Sequence, residues 1–300
     1  NNLPHLLFYG PPGTGKTTTG LAIAHQLYGP QLYSTRVMEL NASDERGISV
    51  VRHKIKQFAA QAIGNPAPGY PSPPFKIIIL DEADSMTEDA QNALRRTMEL
   101  YTKVTRFVFI CNYVTRIIEP IASRCAKFRF KPLVEGAMTD RMNYIAGEEG
   151  LTLAPDAIGA LAAVAGGDMR KAVTTLQSAT RLFGRGNISG PNILEVSGSV
   201  PVERIEELLK ACKTGHFDKM NKVVESFVKD GYPVHQILHQ FGDMVMKSKD
   251  IPDAHKAKIF MRLGEVDKCL VDGASESLQL LDCMSLTSSV LNNRPQIGAF

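Results

Sequence analysis

The chain has 300 residues, enough for two or three domains that each bury a core, so a single domain is not expected. Hydrophobic residues account for 44% and charged residues for 22%, as in folded globular proteins, which argues against disorder. The net charge of +3 neither requires nor excludes a nucleic-acid partner. No apolar run has membrane-spanning length, so we expect no membrane partner, and five cysteines without metal-ligand spacing indicate reduced thiols.

The first predicted elements surround a phosphate-binding loop. Residues 6–9 are apolar and predict a strand, residues 10–17 match the pattern G-x-x-x-x-G-K-[ST], and residues 18–27 have helical spacing. The loop glycines let backbone N–H groups turn towards phosphates, Lys16 adds positive charge, and Thr17 is placed to ligate Mg²⁺. A glycine-rich turn without a ligand is the alternative, and it leaves Lys16 and Thr17 unexplained. The predicted nucleotide contacts here are Gly10, Pro11, Pro12, Gly13, Thr14, Gly15, Lys16, Thr17 and Thr18.

A second strand and helix are predicted next. Residues 36–40 alternate polar and apolar side chains, which is typical of a strand. The polar residues 41–47 follow and end in a glycine. A helix cap by Ser43 or Asp44 is possible, but the glycine favours a helix that begins at Ile48.

This second helix has two cations on one side. Arg52 and Lys56 lie four residues apart, away from the apolar positions of the helix. Such a pair is more often simply a solvated face. It can also follow a phosphate backbone, and both interpretations stay open at this point.

The next strand ends in carboxylates. Residues 64–74 hold five prolines and two glycines and predict a loop, and residues 75–80 are β-branched and almost wholly apolar, as in a central strand. Because ligands bind at the carboxyl ends of parallel strands, we expect Asp81 to hold Mg²⁺ and Glu82 to deprotonate the attacking water. An acidic turn that caps the next helix is the alternative, a role expected of Asp84.

A further helix and strand follow. The helix over residues 87–101 buries an apolar face and leaves Gln91 and Arg95 on one polar side. Residues 106–111 predict a strand that delivers Asn112 to the carboxyl edge of the sheet, beside the γ-phosphate. On spacing alone, Asn112 is equally well explained as a turn residue.

The rest of the chain reads as helices. Arg124 lies between Pro120 and a short strand over residues 128–130, and in isolation it would be a surface cation. Three helices are predicted over residues 134–149, 154–164 and 168–183, the last capped by Asp168. Residues 184–201, with four glycines and two prolines, predict a linker. Apolar residues at helical spacing then predict a bundle without a catalytic constellation.

Several motifs, in this order and spacing, resemble the AAA+ ATPases. They are residues 10–17, Asp81-Glu82-Ala83-Asp84, Asn112, Ser123-Arg124-Cys125 and Gly167-Asp168-Met169-Arg170. Longer phrases at residues 39–47, 79–86 and 110–113 resemble the small subunits of replication factor C, the eukaryotic sliding-clamp loader. The resemblance covers essentially the whole chain. The family's N-terminal segment, which helps to enclose adenine, is absent before Asn1, and we expect residues upstream because the chain does not begin with methionine.

The resemblance implies an α/β fold in which an AAA+ P-loop domain with a parallel sheet is followed by a helical lid and an all-α collar. It implies ATP and Mg²⁺ as cofactors, with Asn112 in the sensor-1 position and Arg170 in the sensor-2 position. Arg124 is implied to be an arginine finger that reaches the ATP site of a neighbouring subunit. The predicted domains are 1–132 (nucleotide-binding), 133–186 (lid), 187–200 (linker) and 201–300 (collar).

The resemblance also implies partners. They are the other subunits of a hetero-pentameric clamp loader, a ring-shaped sliding clamp, and the backbone of primer–template DNA, in the nucleus. The residues implied to follow the DNA phosphates are Ile48, Arg52, Lys56, Gln91 and Arg95. Two alternatives stay open: a subunit that keeps nucleotide without hydrolysing it, and a different AAA+ DNA remodeller.

Overall fold

A computed structural model describes residues 3–42, 48–61, 63–66 and 68–293. The proposed caps Ser43 and Asp44, and the side chains of Ile48 and Arg52, lie outside this description. Within it, five parallel strands form one sheet in the order β2-β3-β4-β1-β5. The strands are β1 (His5–Tyr9), β2 (Val37–Asn41), β3 (Lys76–Asp81), β4 (Thr105–Cys111) and β5 (Cys125–Arg129).

The helices account for most of the remaining described chain. Those that accompany the sheet are α1 (Lys16–Arg36), α2 (Ile48–Ala60), α3 (Glu88–Tyr101) and α4 (Glu119–Ala122). Those that follow are α5 (Glu135–Glu148), α6 (Pro155–Ala165), α7 (Met169–Phe183), α8 (Gly190–Ser197), α9 (Val202–Thr214), α10 (Phe217–Lys229), α11 (Val234–Lys247), α12 (Asp253–Val271) and α13 (Glu276–Leu291). The predicted α/β class is therefore confirmed.

The chain divides into two compact units. The first comprises the chain up to Asn143 together with Ala165–Thr174, and the second comprises Tyr144–Val164 together with the chain from Thr175 onward. These two units do not coincide with the predicted domains, which end after residues 132, 186 and 200. The predicted domain boundaries stay a prediction.

The central position of β3 explains its sequence. It pairs with β2 along one edge and with β4 along the other, and helices cover both of its faces. Ile78 and Leu80 belong to one core with α2 and α3, while Ile77 and Ile79 belong to the opposite core with α1. The prediction of a central strand from an almost wholly apolar run is confirmed.

The second unit contains a helical bundle, as predicted. The buried side chains of α9 to α13, among them Phe227, Phe241 and Leu280, form one apolar core. Val228, an apolar residue of α10, is 44% exposed and does not belong to this core. The predicted linker contains α8, whose first turn is fixed by a reciprocal capping box between Ser189 and Asn192.

Helix α1 is longer than the predicted helix over residues 18–27. It continues to Arg36, but Gly29 has non-helical angles (φ 60°, ψ 179°) and Pro30 follows it. Proline has no backbone N–H to donate, and its ring disfavours helical angles at the residue before it. Gly29 and Pro30 therefore form a kink between two helical segments.

A buried cation fixes the end of α2. Lys76 in β3 is 1% exposed, and its Nζ donates hydrogen bonds of 2.6 Å to the carbonyl oxygens of both Phe58 and Gln61. Carbonyl groups at the end of a helix lack helical partners and bear partial negative charge, so the ammonium stabilises this end. The position of α2 against the sheet therefore depends on one lysine that the apolar pattern of β3 does not reveal.

We expect His5 to make stability depend on pH. His5 is buried, its Nδ1 accepts a hydrogen bond from the Phe107 N–H at 3.1 Å, and burial together with the charge of Arg106 lowers its pKa from 6.5 to about 4. Because the unfolded chain takes up this proton first, the free energy of unfolding should fall by about 3 kcal/mol as the pH drops from about 6.5 to about 4. Urea unfolding at several pH values measures this loss.

The matched variant is His5→Asn, whose amide oxygen can accept the same hydrogen bond but does not titrate. Its free energy of unfolding should depend less steeply on pH over this interval. Identical pH profiles for the two proteins would assign the acid sensitivity to other groups.

Candidate functional site

The phosphate-binding loop between β1 and α1 is fastened by its own lysine. Lys16 is 7% exposed, and its Nζ donates to the carbonyl oxygens of Gly10 (2.8 Å) and Pro11 (2.7 Å) and to Asn112 Oδ1 (2.9 Å). Burial lowers the pKa of Lys16, and Arg170 lowers it further, while Asp81 is the main group that opposes this shift. Since an ammonium has three protons, a phosphate oxygen has to replace at least one of these hydrogen bonds when it binds.

Two oxygen groups suited to Mg²⁺ lie in contact beside the loop. Thr17 Oγ1 donates to Asp81 Oδ2 at 2.8 Å, and Asp81 Oδ1 accepts from the Glu82 N–H at 2.8 Å. Mg²⁺ usually takes one or two protein oxygens and completes its shell with phosphate and water, so the pair fits this ion. Among the described residues, no group of three or more His, Cys, Asp or Glu side chains could hold a metal.

Glu82 has an unusual backbone. It is exposed, and its angles (φ 52°, ψ 39°) lie in the left-handed region, which a residue with a side chain rarely adopts. Two groups of Ser85 stabilise this turn, because its N–H and its Oγ both donate to the Glu82 carbonyl oxygen, at 2.9 Å and 2.7 Å. A strained backbone that neighbouring residues fix is common where a side chain has a functional position.

The ends of β3 and β4 are joined by Asp84. Its Oδ2 accepts hydrogen bonds from the backbone N–H groups of Asn112 (3.1 Å) and Tyr113 (3.0 Å). The prediction that Asp84 caps the next helix is wrong, because Thr87 accepts from the Ala90 N–H and caps α3 instead. Asp84 thereby fixes the backbone that directs Asn112 towards Lys16.

A cavity of about 700 Å³ opens between these groups, entirely within the first unit. The predicted residues that line it are Pro12, Gly13, Thr14, Gly15, Lys16, Thr17, Thr18, Asp81, Glu82, Asn112 and Arg170. Gly10 and Pro11 contribute through their carbonyl contacts with Lys16. Loop, strand ends and the start of α7 therefore surround one space of a size that suits a nucleotide.

Sequence reasoning missed the part of this wall that comes from α5. Ala137 and Arg141, one helical turn apart, line the cavity together with Leu133. Their spacing of four residues places them on one face of the helix, but nothing in the sequence pairs that face with the loop. Arg141 adds a second arginine, besides Arg170, to the wall of the cavity.

The loop touches the start of α7 at Gly13. Asp168 caps α7 by accepting from the Lys171 N–H at 3.0 Å, as predicted, and the Met169 N–H donates to the Gly13 carbonyl oxygen at 3.1 Å. A Cβ on Gly13 would lie 1.7 Å from Asp168 Oδ1, and its φ of 65° favours glycine. Met169, which precedes Arg170 in the cavity wall, is thus anchored to the phosphate loop.

We expect Gly13→Ala to reduce the free energy of unfolding by about 1–3 kcal/mol, because the new methyl group displaces Asp168 and the backbone becomes strained. Urea unfolding without nucleotide measures this. Gly15→Ala is the matched control, since Gly15 has φ 88° but nothing lies within 4 Å of its Cβ position. Adding Asp168→Ala should restore part of the stability lost in Gly13→Ala, and none of the stability lost in Gly15→Ala. Equal losses of stability in the two glycine variants would contradict a clash with Asp168.

Arg124 lies apart from this cavity. Its side chain is 43% exposed, its Nη1 donates to the Pro120 carbonyl oxygen at 2.5 Å, and its Nη2 contacts Glu99 Oε1 at 2.9 Å. It is not among the described residues that line the cavity. Its position therefore does not support a role for Arg124 in this chain's own cavity.

The residues implied to face DNA divide into three groups. Lys56 is exposed on α2, and Arg95 is half-buried on α3 with its Nε 3.7 Å from Glu99 Oε1. Gln91 is wrongly assigned, because it is 2% exposed and its amide bonds the backbone of Met86, Arg116 and Ile118. A polar side chain with its hydrogen bonds satisfied can occupy a buried helix face. Ile48 and Arg52 lie outside the described side chains.

Comparisons with known proteins match both parts of the chain. The profile of the ATPase family associated with various cellular activities (AAA) matches residues 6–133, and the profile of the replication factor C C-terminal domain matches residues 200–285. "Replication factor C subunit 2" of Oryza sativa subsp. japonica is 62% identical over 300 residues, covering 100% of this chain and 88% of that protein.

Two further relatives are also named as subunits of replication factor C. "Replication factor C subunit 4" of Arabidopsis thaliana is 62% identical over 296 residues, covering 98% of this chain and 87% of that protein. "Replication factor C subunit 4" of Homo sapiens is 51% identical over 296 residues, with coverages of 98% and 80%. Of the helices described, none combines the length and apolar character required to cross a bilayer.

Proposed function

Since the chain belongs to the AAA ATPases, and within them to the small subunits of replication factor C, we propose that it is an ATP-hydrolysing subunit of a sliding-clamp loader. The observation that supports this most directly is the pair of contacts Lys16–Asn112 and Thr17–Asp81, at 2.9 Å and 2.8 Å. They bring the phosphate loop, the end of β3 and the end of β4 to one cavity. A structural glycine turn would need none of them.

Nucleotide binding is proposed to use the loop backbone and the two cations of the cavity wall. The backbone N–H groups of the loop and the N-terminus of α1 favour the α and β phosphates, and Lys16 exchanges a carbonyl contact for a phosphate oxygen. Arg170, at the start of α7, also lines the cavity and is proposed to contact the same nucleotide. Mg²⁺, held by Thr17 and Asp81, would neutralise charge on the phosphates.

Hydrolysis is proposed to start with Glu82. Its carboxylate takes a proton from the attacking water, while Asn112 positions that water or the γ-phosphate through its amide. Because the transition state of phosphoryl transfer spreads negative charge over the γ-phosphate oxygens, a further cation is needed there. Arg124, exposed and apart from this chain's cavity, is proposed to supply that cation to a neighbouring subunit's site.

The assembly proposed is a hetero-pentamer that loads a ring-shaped clamp at primer–template junctions in the nucleus. The exposed Lys56 of α2, together with Arg52, is proposed to contact DNA phosphates, and so is Arg95 of the adjacent α3. Contacts with phosphates alone would recognise the shape of the duplex rather than its sequence. Gln91 has no part in this surface because its amide is buried.

Reconstitution with the other loader subunits tests this proposal. We expect native mass measurement to give one copy of this chain in a five-subunit complex that retains a ring clamp in the presence of ATP. Primer–template DNA should stimulate hydrolysis, and rising salt should weaken that stimulation. A complex with nucleotide at this site but no turnover would favour a non-hydrolysing subunit, and a complex that never retains a clamp would favour another DNA remodeller.

A further inference from the structure

Glu99, in the last turn of α3, contacts two arginines that belong to different proposed surfaces. Its Oε1 lies 2.9 Å from Nη2 of Arg124, the proposed finger, and 3.7 Å from Nε of Arg95, on the proposed DNA-facing helix. Glu99 is itself exposed to solvent. One carboxylate oxygen therefore serves as the counter-ion of both cations.

The contacts of Arg124 fix its guanidinium at two points. Nη1 donates to the Pro120 carbonyl oxygen at 2.5 Å, and Nη2 donates to Glu99 at 2.9 Å. Because a guanidinium is planar and rigid, two bonds to separate acceptors set the direction of the whole group. These bonds use two of its five N–H donors, so the group can be fixed and still donate to an anion.

We propose that Glu99 is a positioning residue for the arginine finger: it fixes Arg124 so that its remaining donors can meet the γ-phosphate in the neighbouring subunit. The inference rests on the proposed function. A long exposed arginine without such a contact would have to be ordered during each encounter, and the loss of conformational freedom would raise the barrier to hydrolysis. A carboxylate that fixes it beforehand removes that cost.

The contact with Arg95 is of a different kind. Arg95 Nε is buried and, among the described residues, has no hydrogen-bond partner, so its link to Glu99 is electrostatic. A DNA phosphate that attracts Arg95 would leave the charge of Glu99 to Arg124 alone. Contact of α3 with DNA would then strengthen the Glu99–Arg124 pair, and this links DNA binding on one subunit to hydrolysis in its neighbour.

The test uses the assembled loader with hydrolysis confined to the site that Arg124 enters, by removing the base glutamate at the other sites. The variants are Glu99→Ala, Glu99→Gln, Arg124→Ala and the double variant Glu99→Ala/Arg124→Ala. The matched control is Asp89→Ala, since Asp89 is exposed on the same helix and forms no ion pair with the described residues. Native mass measurement and thermal unfolding verify that each variant assembles and folds.

We expect Glu99→Ala to lower kcat at the neighbouring site by about 10²-fold with little change in the KM for ATP, as for a misplaced catalytic group. Glu99→Gln keeps the size and an acceptor oxygen, so its kcat should be intermediate. In the Arg124→Ala background, loss of Glu99 should have no further effect, because Glu99 acts through Arg124. DNA stimulation should also be smaller in Glu99→Ala.

An unchanged or higher kcat in Glu99→Ala, or an equal loss with and without Arg124, would overturn the inference and leave the finger intact. If Arg124→Ala itself does not lower turnover, the proposed function of Arg124 fails and the inference fails with it. Turnover of the four variants thus separates a failure of the Glu99 inference from a failure of the proposed role of Arg124.

Discussion

Glu82→Gln should lower ATP turnover at this chain's own site by about 10²- to 10⁴-fold, the usual contribution of a general base. Glutamine has the size and shape of glutamate, so the left-handed turn at residue 82 and its bonds to Ser85 can persist. The amide cannot take a proton from water. Nucleotide binding should remain, because the groups proposed to bind phosphate and Mg²⁺ are Lys16, Thr17 and Asp81.

The measurement is single-turnover release of phosphate in the assembled loader with only this site competent, together with the affinity for a fluorescent ATP analogue. Glu88→Gln is the matched control, since Glu88 is an exposed carboxylate six residues on, at the start of α3. Turnover at the normal rate in Glu82→Gln would remove Glu82 from the role of base. Loss of nucleotide affinity would assign it to binding instead.

The sequence predicted the parts of the site that depend on adjacent residues. Residues 10–17 form a loop between β1 and α1, because glycine spacing and the flanking apolar runs determine the local backbone. Asp81 lies at the end of β3 and Asn112 directly after β4, and in a parallel sheet these ends meet at one edge. The contact of Lys16 with Asn112 follows from this topology.

Contacts between distant segments could not be predicted in the same way. Asp84 bonds the backbone of residues 112–113 instead of capping a helix, since an aspartate has several possible acceptor roles and only the folded chain selects one. Gln91 has a polar position on α3, yet its amide is satisfied by three backbone groups and is buried. Helical periodicity gives the faces of a helix but not what packs against them.

Buried cations were missed for a related reason. Lys76 stands in an apolar strand and Arg36 at the end of α1, and both side chains bond carbonyl oxygens, those of Phe58 and Gln61 for Lys76 and those of Gly64 and Pro73 for Arg36. Every residue has a backbone carbonyl group, so residue types do not show which carbonyl oxygens will accept these bonds. The sequence therefore does not indicate where the fold supplies acceptors for a buried cation.

Arg124→Ala should have the largest effect of all, a loss of about 10³- to 10⁵-fold in turnover at the neighbouring subunit's site, the range for an arginine finger. Nucleotide binding at this chain's own site should be unaffected, because Arg124 does not line that cavity. Arg124→Lys keeps the charge but not the planar fork, so it should recover only part of the rate. Arg129→Ala is the control, since Arg129 is an exposed cation at the far end of β5 and is not among the described residues that line the cavity.

Combining Glu82→Gln and Arg124→Ala in this one chain shows whether they act at different nucleotides. If Arg124 acts in trans, the two substitutions impair two separate sites, so each site should lose only the factor measured for its own substitution. If Arg124 acted in cis, both losses would fall on one site and the neighbour would hydrolyse normally. Turnover measured site by site decides between these geometries. Arg124 is not among the described residues that line its own cavity, which favours action on a second chain.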